Sequence, residues 1–134
     1  MRLLVIHGPN MNLYGLRSSK KGETITLDKI NRHLRRSIRD KDIDLKIMQS
    51  HDEVRIVSYL HRNRNKFDGI ILVPGVWQKC GYILNDTFIL FGLQYITIHI
   101  DKDEKEQLFK GEKNIYNDNI YDSFTEAIEF YANL

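Results

Sequence analysis

A chain of 134 residues, 42% hydrophobic and 28% charged, carries enough apolar surface for one folded core and too much to stay disordered. Its 20 basic and 18 acidic residues leave a formal charge of +2, and the basic residues are scattered, which argues against a nucleic-acid partner. A single cysteine, Cys80, excludes an internal disulfide, and no apolar run is long enough to span a bilayer or serve as a secretory leader. The expectation is one domain over residues 1–134, cytoplasmic, without a membrane partner.

Arg2 to His7 reads as a strand buried on both faces, because four apolar residues run straight into Gly8, Pro9 and Asn10. Met11 to Glu23 is polar, with the composition of a mobile loop or lid. Thr24 or Thr26 caps a helix carrying Leu27, Ile30, Leu34 and Ile38 on its inner face, its arginines solvated. Asp44 to Ser50 alternates like an edge strand, and His51, Asp52 and Glu53 open a helix to about Asn65.

Gly69 to Val73 is a second apolar run ended by Pro74 and Gly75, the other proline of the chain. Lys79 to Gly92 predicts a helix apolar on almost every side, which argues for a subunit interface. Tyr95 to Ile100 reads as the fourth strand, Asp101 to Phe109 as a short charged helix, and Ile115–Tyr116 as a brief fifth strand at the other edge. Ser123 and Glu126 have capping-box spacing at the start of a last helix. Strand and helix alternate about five times, so the expected fold is a flavodoxin-like, five-stranded parallel sheet with helices on both faces.

In such a sheet, ligands bind outside the carboxyl ends of the strands. His7, Asn10, Asn12, His51, Asp52, Glu53, Lys79, His99 and Asp101 would share that rim. Three histidines there could suggest a metal, but no short ligand pair such as HExxH or CxxC supports one. No GxGxxG, GxxxxGK[ST] or GxSxG motif is present. Cys80 beside Lys79 could be a nucleophile, although packing at a helix start suits a small residue equally.

HGPNMNLYGLR, QSHDE, DGIILVPGVWQKCGYILND and ITIHID follow one another in an order that resembles the type II 3-dehydroquinases, where NGPNLNLLGxR, QSNxE, DGIIxNPxxYTHTSxALRD and VEVHxS are usual. The match runs without gaps from Arg2 to about Lys110, beyond which the chain is shorter and lacks the family's GxxxGLGxxGY segment. The resemblance implies a flavodoxin-like subunit in trimers, usually assembled into dodecamers. It also implies dehydration of 3-dehydroquinate to 3-dehydroshikimate, with neither metal nor cofactor. In that reaction a tyrosinate tuned by an arginine takes a proton, an asparagine-held water meets the enolate, and a histidine protonates the leaving hydroxyl.

Carried over by position, Asn10, Arg17, Asp86 and His99 match family residues, and Ile100 joins the substrate-binding group between His99 and Asp101. The tyrosine position holds Gly22, or Lys21 after a one-residue slip. The asparagine is Val73, the acid histidine is Lys79, and the glutamate paired with that histidine is Thr97. A carboxylate-holding serine is Asp101, and an arginine is Lys110. Losing one general acid or base costs roughly a hundred- to ten-thousand-fold. The reading is therefore a divergent family protein whose dehydration is weak or lost, keeping a crevice for a small ligand such as a cyclic polyhydroxy carboxylate. Two alternatives stand beside it: an active lyase using Lys21 as base and Lys79 as acid, with Arg17, and a non-catalytic structural or regulatory oligomer partner.

Overall fold

The computed structural model describes residues 1–134. Its strands are β1 (Arg2–His7), β2 (Asp44–Gln49), β3 (Gly69–Val73), β4 (Tyr95–Ile98) and β5 (Lys113–Ile115). Its helices are α1 (Tyr14–Ser19), α2 (Leu27–Ser37), α3 (Glu53–Asn63), α4 (Trp77–Cys80), α5 (Tyr82–Phe91) and α6 (Ile120–Ala132). All strand pairs are parallel, in the order β2-β1-β3-β4-β5. That is the flavodoxin-like doubly wound sheet, with its switch point between β1 and β3. No helix is long and apolar enough to cross a membrane.

Side chains alternate between the two faces of a strand, and this sheet is covered on both. Leu3, Val5, Ile71, Ile96 and Ile98 join Ile30, Leu34, Phe124 and Ile128 on the α2/α6 face. Leu4, Ile6, Ile70 and Leu72 join Ile56, Leu60, Leu84 and Phe88 on the α3/α5 face. Each such residue removed from water contributes about 1.5–3 kcal/mol, which is why the apolar runs of β1 and β3 take the centre. The shared parity of His7 with Leu3 and Val5 has a consequence for the site. His7 turns into the α2/α6 core instead of the rim, fully buried, and bonds Asn31 at 3.0 Å.

The two proline-glycine loops touch. The Gly8 amide donates to the Val73 carbonyl at 2.9 Å. A Cβ on Gly8 would lie 2.6 Å from that carbonyl oxygen and 2.8 Å from that of Pro74, so only glycine permits this approach.

Several boundaries differ from the expectation. The Met11–Glu23 loop is partly helical: a 3-10 turn at Met11–Leu13 leads into α1, and buried Met11 and Tyr14 pin it to the core. Thr26, and not Thr24, caps α2 by accepting from the Lys29 amide, and Asp52 caps α3. The expected Lys79–Gly92 helix starts earlier and is broken at Gly81 into α4 and α5. A Cβ at Gly81 would meet Trp77 and Phe109 at 2.9 Å, so tight packing holds the break open to glycine alone. Cys80 is exposed and does not pack as a small residue at a helix start.

Strand β4 ends at Ile98, short of Ile100. Residues 101–109 form no helix. Their charged sequence offers no apolar stripe, and the buried side chain of Gln78 satisfies their backbone instead. Its Oε1 accepts from the Leu108 and Phe109 amides at 3.1 and 2.7 Å, and its Nε2 donates to the Phe109 carbonyl at 2.9 Å. The last helix begins at Ile120, capped by the Asn119 side chain. Ser123 is fully buried within it and caps nothing.

Candidate active site

The loops after β1, β3 and β4 enclose a cavity of about 660 Å³ at the carboxyl ends of the strands. Arg17 and Lys21 enter it from α1 and the residues following. Gln78 and Lys79 come from α4, and Ile100, Asp101 and Glu104 from the segment after β4. Five cations (Arg17, Lys21, Lys79, Lys102, Lys105) face three carboxylates (Asp101, Asp103, Glu104), so the lining favours an anionic ligand. Across its mouth Arg17 donates to Asp101 at 2.6 Å, with both side chains 44% exposed.

His99 lines not this cavity but a neighbouring hollow that shares Glu104 with it, and the segment after β4 closes over the ring. Its Nδ1 lies 3.2 Å from Glu104 Oε1, while the Ile100 amide donates to Glu104 Oε2 at 3.1 Å. Its Nε2 is buried without a hydrogen-bond partner; the nearest carboxylate, Glu106, is 3.6 Å away. The hydrogen bond to Glu104 raises the His99 pKa, against the opposing effect of burial. Sequence reasoning missed Glu104, Glu106 and Gln78. The first two sat in what read as a short charged helix, and Gln78 was one polar residue in a largely apolar stretch.

The other rim residues are dispersed. Asn10 is exposed, with left-handed backbone, and its amide donates to His51 Nδ1 at 3.2 Å. It opens onto a neighbouring hollow that shares Arg17 and Lys21 with the main cavity. Lys110 lies on the far side of the segment, in a hollow with His99 and Tyr116. Asp86 is exposed on α5 and does not line the cavity. His7, His51 and His99 do not converge, and no group of three or more His, Cys, Asp or Glu side chains could hold a metal. Burial lowers the His7 pKa to about 4, which keeps that ring neutral. Val73, at the asparagine position, is wholly buried in the α2/α6 core, and Thr97 accepts from the Gly111 amide. Lys21 and Lys79 are both exposed.

Two tyrosines stand near the Arg17–Asp101 pair. Tyr14 is buried, and desolvation raises its pKa although Arg17 pulls the other way. Tyr116 is raised by desolvation and by the carboxylates of Asp118, Asp101 and Asp103. Both therefore hold their phenolic protons at neutral pH.

The family model for dehydroquinase class II matches residues 1–125. This chain belongs to the class II dehydroquinase family. Among similar proteins, a 3-dehydroquinate dehydratase of Caldanaerobacter subterraneus subsp. tengcongensis is 36% identical, over 74% of this chain and 67% of that protein. The 3-dehydroquinate dehydratase of Dictyoglomus turgidum is 28% identical over 99% of each chain. The crystal structure of type II dehydroquinase from Butyrivibrio crossotus shares the fold, with a TM-score of 0.83 at 22% identity, over 97% of this chain and 96% of that one. A 3-dehydroquinate dehydratase-like protein from Bifidobacterium longum superposes with a TM-score of 0.72 at 16% identity, over 99% of this chain and 96% of that one.

Proposed function

We propose that this family member binds a small cyclic polyhydroxy carboxylate in the crevice and that its dehydration of 3-dehydroquinate is weak or lost. The observation that carries this reading is a cavity with an excess of cations and no tyrosine in its lining. Removing a proton next to a ketone needs a base tuned near the working pH. Tyr14, near Arg17, and Tyr116, near Asp101, are both shifted away from ionisation. Arg17 itself, which in the family lowers the pKa of the base, is paired with Asp101.

One observation favours a second reading, an active lyase with substituted groups. Lys21 and Lys79 line the same cavity as Arg17. Such an enzyme needs both ammonium groups desolvated, and both are exposed in the single chain. Incubation of pure protein with 3-dehydroquinate, followed by the absorbance of the conjugated product, separates the two. The first reading expects turnover at least about a hundredfold below that of a family enzyme assayed in parallel. Brisk turnover that vanishes in Lys79→Ala would overturn it in favour of the second.

The outer face of α5 supports self-association in the same protein. Tyr82, Ile83, Ile89 and Leu90 are 65%, 55%, 68% and 74% exposed, an apolar strip that a second copy would cover. Sedimentation of the wild type as trimers or dodecamers, and of Leu90→Lys as smaller species, is the expected outcome. Purely monomeric wild type would defeat it, and mixed assembly with an active family enzyme would point to a regulatory subunit.

A further inference from the structure

We propose that Glu104 is a built-in competitor for the crevice: its carboxylate occupies the place made by the Ile100 amide and the His99 ring, and an incoming carboxylate must displace it. The inference rests on the reading of the crevice as a carboxylate site.

Three observations carry it. First, Glu104 is not a solvated side chain. It is 13% exposed, and its two oxygens are divided between two polar groups, a backbone N–H at 3.1 Å and an imidazole nitrogen at 3.2 Å. A backbone amide beside a ring nitrogen offers a carboxylate two directed partners, and any external carboxylate would seek the same ones. Second, the closed arrangement leaves His99 half satisfied. Its Nε2 is buried without a partner, an expensive state for a polar atom. A ligand carrying hydroxyl groups as well as a carboxylate can serve both ring nitrogens, whereas Glu104 serves one. Third, the segment bearing Glu104 is attached at its two ends and has no regular structure between them. Asp101 is held by Arg17 at 2.6 Å, and residues 107–109 are held by the Gln78 side chain. The stretch between these anchors can move without disturbing the sheet.

A tethered carboxylate five residues from its histidine competes at high effective concentration. The apparent affinity for an outside ligand falls by the fraction of molecules in which the place is open. Glu104 thereby sets a threshold: the crevice fills only when the outside carboxylate is abundant or makes further contacts.

Quinate, a cyclic polyhydroxy carboxylate, is titrated calorimetrically into wild type and Glu104→Gln, with the uncharged ring polyol myo-inositol as control. In parallel the Ile100 amide resonance is followed during acetate addition. The expected result is quinate binding about tenfold tighter in Glu104→Gln, with myo-inositol unchanged. Equal or weaker quinate binding in the variant overturns the competitor role and leaves the carboxylate crevice standing. If quinate binds neither protein, the crevice reading falls, and the acetate arm decides the inference separately. An Ile100 shift with acetate in Glu104→Gln, absent in wild type, upholds the competitor; the same response in both proteins, or in neither, overturns it.

Discussion

Arg17 and Asp101 stand 84 positions apart in sequence and meet at 2.6 Å, tying the helix after the first strand to the segment after the fourth. Both side chains are 44% exposed, so solvent and salt screen the pair. A double-mutant cycle with Arg17→Ala and Asp101→Ala, measured by urea unfolding, is expected to give a coupling below about 1 kcal/mol that shrinks further in high salt. A coupling of several kcal/mol would mean that solvent does not screen the pair.

Gln78 does more for stability than the ion pair. Truncation to alanine would strand the buried amide and carbonyl of Phe109 together with the half-buried amide of Leu108. Each unsatisfied group costs about 1–3 kcal/mol. Gln78→Ala should therefore lose at least about 2 kcal/mol in urea unfolding. Amide exchange should quicken at residues 107–109 while β1 and β3 stay protected, because the defect is confined to one segment.

Acid should weaken the protein through His7. Its folded pKa is lowered to about 4, whereas an unfolded histidine titrates near 6.5. Between these values the unfolded chain binds a proton that the native chain refuses, so stability rises with pH across that window. The contribution is fully present above pH 6.5 and is lost as pH falls through 4. Integrated over the window it is worth about 3 kcal/mol. The slope of stability against pH between 4 and 6.5 should flatten in His7→Gln, compared with wild type by thermal unfolding at fixed ionic strength.

His99 acts in the opposite direction. Its folded pKa is raised, chiefly by the hydrogen bond to Glu104. The stabilising contribution is therefore complete below 6.5 and disappears as pH climbs through the folded value. Imidazole resonances should show His99 titrating above His7 and His33 in wild type, and Glu104→Gln should bring it down. A His99 titration unaltered by that substitution would mean that the contact does not persist in solution.

Much of the architecture was legible because it depends on local pattern. The apolar runs of β1 and β3, each ended by proline and glycine, identified the buried central strands. The alternation in Asp44–Gln49 identified an edge, and β2 is one. Where the reading failed, a longer-range contact had overruled local composition. The apolar helix breaks at Gly81, where Phe109 packs so closely that a Cβ would not fit. His7 leaves the rim because strand parity directs it at Asn31 and Phe124.

The order of residues alone determined the sheet, its two covered faces and the family, since periodicity and motif order are properties of neighbours along the chain. The tertiary structure alone decided which polar groups meet at the strand ends. Glu104 on His99, Gln78 on the 107–109 backbone and Asp101 on Arg17 all depend on how one irregular segment lies across three loops. No local rule specifies that path. It follows from the requirement that buried amides and charges find partners wherever packing has brought them.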